Sequence, residues 1–125
     1  MCLPDGYISL HLRIGDRDGS YTSPLIYYEN IDIKKHTDWN NIIIFCGSHN
    51  TKSNRSNKYI CDVVSILERR GYNVFVRGGN SPDDDFVLMT KSKFFIKGKS
   101  KTNKCGGYNL IISKIVKILG STVIV

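Results

Sequence analysis

The chain has 125 residues, the size of one domain, and 41% of them are apolar, enough for a real core and too many for a disordered tail. Eighteen Lys and Arg against eleven Asp and Glu give a formal charge of +7, which favours an anionic partner: nucleotide, nucleic acid or membrane headgroups. No stretch approaches the ~20 apolar residues of a membrane helix, and the opening Met1-Cys2-Leu3-Pro4-Asp5 lacks the basic region and apolar core of a signal peptide.

The first predicted element is a strand. Tyr7, Ile8, Leu10, Leu12 and Ile14 form an apolar run of core-strand length, followed by the turn Gly15-Asp16-Arg17. His11 and Arg13 are two residues apart and therefore share a face. A guanidinium at the end of a core strand is costly to bury unpaired, so Arg13 calls for a carboxylate or an anionic ligand. A structural salt bridge would satisfy it. So would a phosphate, whose geometry the planar fork suits. From Asp16 to Asn41 the chain is polar and irregular; Tyr21, Pro24, Tyr27, Tyr28 and Trp39 suggest a loop packed on the core, with room for a short extra element.

Asn41 to Cys46 reads as a strand apolar on both faces, as in a central parallel strand, and ends in the small polar turn Gly47-Ser48-His49-Asn50. A helix follows from Ser56, with Ile60, Val63, Val64 and Leu67 on one stripe and Gly71 closing it. Asn73–Arg77 is the next strand, broken by Gly78-Gly79. Ser81 as cap, Pro82 at the first position and Asp83, Asp84 and Asp85 in the first turn open a short helix that stops near Ser92. Phe94–Ile96 is a strand, Gly98–Cys105 a basic loop and Gly106-Gly107 a turn. Tyr108–Leu119 is an amphipathic helix with Leu110, Ile111, Ile115 and Ile118 inward; Gly120 ends it and Ser121–Val125 is the last strand.

This alternation of strand and helix predicts one α/β domain over residues 1–125: a single Rossmann-like parallel sheet with helices on both faces. In such sheets ligands lie outside the carboxyl ends of the strands. That rule collects His11, Arg13, Gly15, Asp16, Gly47, Ser48, His49, Asp85, Gly106, Gly107 and Tyr108 along one rim as candidate binding residues.

Cys2, Cys46, Cys61 and Cys105 have no framework spacing, and reduced thiols fit a cytoplasmic protein. Cys46 and Cys61 lie in apolar runs and read as small core residues. Cys46-Gly47-Ser48-His49 has half a metal-site spacing but no second half follows, and the three aspartates suit helix-start electrostatics better than an Asp-x-Asp metal pair. Neither a metal nor a cofactor is expected.

His11-Leu12-Arg13-Ile14-Gly15-Asp16 is similar to the His-x-Arg segment of GT-B-type fucosyltransferases, the α1,2-, α1,6- and protein O-fucosyltransferase relatives. The stretch Asp85 to Ile96 resembles their downstream motif, an aspartate opening a helix that runs into a strand, and Gly106-Gly107-Tyr108 stands where the family has a small-residue turn. The resemblance implies the C-terminal, donor-binding half of a GT-B glycosyltransferase and a nucleotide-sugar donor, GDP-linked. It implies that Arg13 binds the diphosphate and carries the catalysis, that His11 holds the guanine or adjacent phosphate, and that Asp85 contacts the guanine edge and braces Arg13. The acceptor, a glycan or a protein, would be held by a second half, a partner chain or a homo-oligomer. Two features depart from the family: Ile14 stands where a second basic residue is usual, and Lys97–Lys104 is a lysine-rich insertion.

Two other classes fit the same composition. A nucleic-acid-binding domain would use the Lys97–Lys104 and Lys52–Lys58 loops on phosphates and tyrosines for stacking, although the basic residues line no single helix. A non-catalytic interaction domain explains the fold but leaves Arg13 without a purpose. There is no P-loop, no Gly-x-Gly-x-x-Gly and no Ser-His-Asp or Cys-His set.

Overall fold

Ile42 to Phe45 are four consecutive apolar side chains with no face left for solvent, and all four are fully buried within the sheet. The computed structural model describes residues 6–12, 23–47, 54–78, 82–97 and 107–124. Its elements in chain order are β1 (Ile8–His11), α1 (Leu25–Asn30), β2 (Asn41–Gly47), α2 (Asn54–Arg69), β3 (Asn73–Gly78), α3 (Pro82–Lys91), β4 (Phe94–Ile96), α4 (Gly107–Ile118) and β5 (Thr122–Ile124). The strands form one parallel sheet in the order β3-β2-β1-β4-β5.

That order explains the two helical layers. From β1 through β2 to β3 the chain steps one way across the sheet; from β3 it returns past both to β4 and continues to β5. With right-handed crossovers throughout, reversing direction moves the helices to the opposite face. Packing agrees. Ile8, Leu10, Leu12, Ile42, Ile44, Cys46 and Ile96 meet Tyr28 of α1 and Ile60, Val63, Ile66 and Leu67 of α2. The alternate positions Ile43, Phe45 and Phe95 meet Met89 of α3 and Ile112 and Val116 of α4. A period of two along each strand thus divides one sheet between two cores.

Both long amphipathic helices end as the glycine pattern predicts. Gly71 (φ 97°) and Gly120 (φ 83°) are left-handed. After α2, Tyr72 N–H bonds Leu67 O and Gly71 N–H bonds Glu68 O; after α4, Ser121 N–H bonds Val116 O and Gly120 N–H bonds Lys117 O. Both are Schellman closures that satisfy the last carbonyls. The irregular region contains α1, whose carboxyl end is completed from outside: Arg70 donates from Nη1 to Tyr28 O (2.6 Å) and from Nη2 to Ile31 O (2.7 Å).

Two expectations need correcting. Among the described side chains of α4 the buried ones are Ile112, Ser113 and Val116, whereas Ile111 is 53% and Ile118 is 81% exposed; Leu110 lies outside the described side chains. The helix carries two apolar sets at helical spacing, 111/115/118 and 112/116, and the buried serine disguises the inner one. Cys61 lies exposed on α2, while Cys46 is the core residue expected. Among the described residues no helix is long and apolar enough to cross a membrane.

Candidate functional site

The strand order reverses between β1 and β4, so the chain leaves two adjacent strands in opposite directions at one place on the carboxyl rim. The segments leaving there are those after Leu12 and after Lys97 in the sequence. β1 stays paired to its end: Leu12 N–H donates to Phe45 O at 2.9 Å. On the other flank, Lys97 N–H continues the ladder to Ile124 O (3.0 Å) and the Tyr27 hydroxyl of α1 donates to Lys97 O (2.5 Å). Both exits are therefore held by backbone bonds rather than by side-chain packing alone.

Alternation along β1 separates two sets of side chains. Ile8, Leu10 and Leu12 belong to the α1/α2 core; Tyr7, Ser9 and His11 lie on the α3/α4 side. There the Tyr7 hydroxyl donates to Leu88 O (2.7 Å), with burial raising its pKa, and buried Ser9 Oγ donates to Ser92 Oγ (2.8 Å), which donates on to Met89 O (2.8 Å). His11, half-buried, is next towards the rim. Its register partner is Phe45, whose partner on β3 is Arg77, so His11, Phe45 and Arg77 form one row across three strands.

Arg77 is the residue that the sequence reading passed over. Its Nε donates to Asp85 Oδ1 at 2.9 Å, with side chains 21% and 4% exposed. Asp85 is the fourth residue of α3, where the positive end of the helix dipole also favours its charge. The resemblance gave Asp85 the bracing of Arg13; in the described structure its ion-pair partner is Arg77, while Arg13 lies outside the described residues. The signal was present, an arginine two places after Phe75 and eight before Asp85, but only the tertiary structure shows that the two meet. The carboxylate is felt through the sheet: the buried Cys46 thiol is pushed up first by desolvation and then by Asp85's charge, and it donates to Arg77 O at 3.6 Å. Cys46 is thus a protonated structural thiol.

Of the other predicted positions, Gly47 ends β2 opposite Gly78, past a register shift after Phe45. Gly107 and Tyr108 begin α4, the helix that follows β4. Gly15, Asp16, Ser48, His49 and Gly106 lie outside the described residues. The described part of the rim brings together His11, Gly47, Arg77 and Asp85, with Lys97 leaving β4. Among the described residues no group of three or more His, Cys, Asp or Glu is placed to hold a metal ion. Within this rim the buried carboxylate of Asp85 is paired with Arg77, and Lys97 is a second cation at the end of β4.

No protein-family model matches the chain, and neither a curated protein nor a solved structure matches it.

Proposed function

We propose that the domain binds a nucleoside-diphosphate sugar, of the GDP-fucose kind, across the carboxyl rim and acts as the donor-binding unit of a metal-independent glycosyl transfer. The observation that carries this reading is the strand order: the reversal lies at β1, whose end bears His11 two residues before Arg13. In the proposed reaction an acceptor hydroxyl attacks the anomeric carbon, the bond to the diphosphate breaks, and the hydroxyl proton passes to solvent. Negative charge grows on the departing phosphate oxygen, and Arg13 lowers the barrier by meeting it with a fixed positive fork. His11 holds the adjacent phosphate or base. The start of α4 turns backbone N–H groups towards the rim from Gly107 onward. A second half or a partner chain supplies the acceptor, a glycan or a protein.

The test is a thermal-shift panel of GDP, UDP, ADP, CMP and GDP-fucose on the wild type and on Arg13→Ala. At 100 times its dissociation constant a ligand stabilises by roughly 2.7 kcal/mol, a shift of several degrees for a domain of this size. The expected result is a GDP-selective shift that Arg13→Ala abolishes. A wild type that ignores all five nucleotides and shifts with a single-stranded oligonucleotide would move the assignment to nucleic acid.

A further inference from the structure

The Arg77–Asp85 pair extends the reading above and rests on it: we infer that Arg77, positioned by Asp85, is a second phosphate-contacting cation of the donor site. Arg77 stands on β3, an edge strand, where a long cationic side chain is free to turn outward into water. It does not. It lies 79% covered on the α3/α4 side, drawn inward by a carboxylate on a helix that packs against β2. With neighbouring strands about 4.8 Å apart, the Arg77 and His11 Cα atoms are roughly 10 Å apart in the same row. Phe45, fully buried, stands between them in that row, so a diphosphate meeting both would lie across its position.

The pair's chemistry fits this role better than that of a salt bridge alone. A carboxylate with 4% exposure loses most of its hydration, and pairing it with a guanidinium repays that cost poorly compared with apolar packing. Here the α3 dipole shares the neutralisation of Asp85, so the pair leaves a positive field at the rim. Contact is made through Nε, so the end edge of the fork, one N–H from each terminal nitrogen, is not the edge that meets Asp85. That edge matches two phosphate oxygens. Asp85 therefore acts by holding Arg77, and it touches no ligand.

Equilibrium binding of GDP, guanosine and inorganic pyrophosphate, measured with the melting temperature of each unliganded protein, separates the outcomes. Arg77→Ala and Arg77→Lys are each expected to weaken GDP and pyrophosphate by roughly ten-fold, the size of one charged hydrogen bond, and to leave guanosine unchanged. Lys keeps the charge but not the fork, so it serves should the alanine variant fail to fold. Asp85→Ala, which releases Arg77, is expected to show the same phosphate-specific loss, whereas Asp85→Asn keeps an acceptor for Nε and retains affinity. Wild type that binds GDP while the Arg77 variants bind it equally well overturns this inference and spares the donor-site reading. Equal losses for guanosine and GDP also overturn it, because a merely structural pair acts on both. Wild type that binds neither GDP nor pyrophosphate overturns both.

Discussion

The two faces of the sheet are made by alternate residues of the same strands, yet they are built differently. The α1/α2 face is apolar up to the rim: Ile8, Leu10 and Leu12 on β1 and Ile42, Ile44 and Cys46 on β2 all join one core. Two of its polar side chains bond backbone, Arg70 closing α1 and the Tyr59 hydroxyl of α2 donating to Ser23 O. The α3/α4 face has the smaller apolar cluster and carries Ser9, Ser92, Ser113 and Asp85 as buried polar residues, with His11 and Arg77 towards the rim. One face has the larger apolar cluster; the other buries a carboxylate and three serines beside a smaller one.

The comparison is broken most severely at the centre of the apolar face. Leu10→Ala leaves a hole in a fully buried position and is expected to cost about 3 kcal/mol in urea unfolding. Arg70→Ala removes two short bonds to the orphan carbonyls of α1 and is expected to cost about 2 kcal/mol by the same assay.

Alkaline pH attacks the same face. Burial, then the nearby Tyr28 hydroxyl, holds the Tyr59 pKa far above the usual tyrosine value of 10.0. Tyr28 is likewise raised by burial, which its hydrogen bonds to Tyr59 and Ser23 only partly offset. The unfolded chain therefore releases these protons first. Stability from this source is complete below about pH 10 and falls above it by up to about 1.4 kcal/mol per pH unit for each group. Tyr59→Phe is expected to flatten the alkaline limb of a stability–pH curve, and an unchanged limb would contradict the assignment.

On the polar face, Ser9→Ala deletes one buried hydrogen bond and is expected to cost about 1 kcal/mol by chemical denaturation. The smallest effect belongs to neither core: Ile118→Gln, at an 81% exposed position, is expected to change stability by less than about 0.5 kcal/mol. A larger loss there would mean that the outer side of α4 is covered in solution.

Among the described residues, all five strands and three of the four helices were legible because each obeys a local rule. Val63 and Leu67 repeat at helical spacing and face the core, Pro82 opens α3, and Gly71 and Gly120 close α2 and α4. α1 was not legible as a helix. It has six residues and no side-chain cap, and its closing bonds come from Arg70, forty residues beyond its last residue. The inner side of α4 was misread because periodicity ranks two apolar stripes equally, and only contact with the sheet chooses between them. At the site, the sequence marked Asp83, Asp84 and Asp85 as helix-start carboxylates and the resemblance picked out Asp85, but neither found its partner.

The sequence by itself determined the parallel α/β class and the positions of the strands. These depend on periods of 2 and 3.6 and on backbone-specific residues, which act within a few positions along the chain. Only the tertiary structure decided the order β3-β2-β1-β4-β5, the α4 side that is buried and the meeting of Arg77 with Asp85. Those depend on which strands pair and in what register, and pairing energy comes from contacts between residues far apart in the chain, which no local pattern encodes.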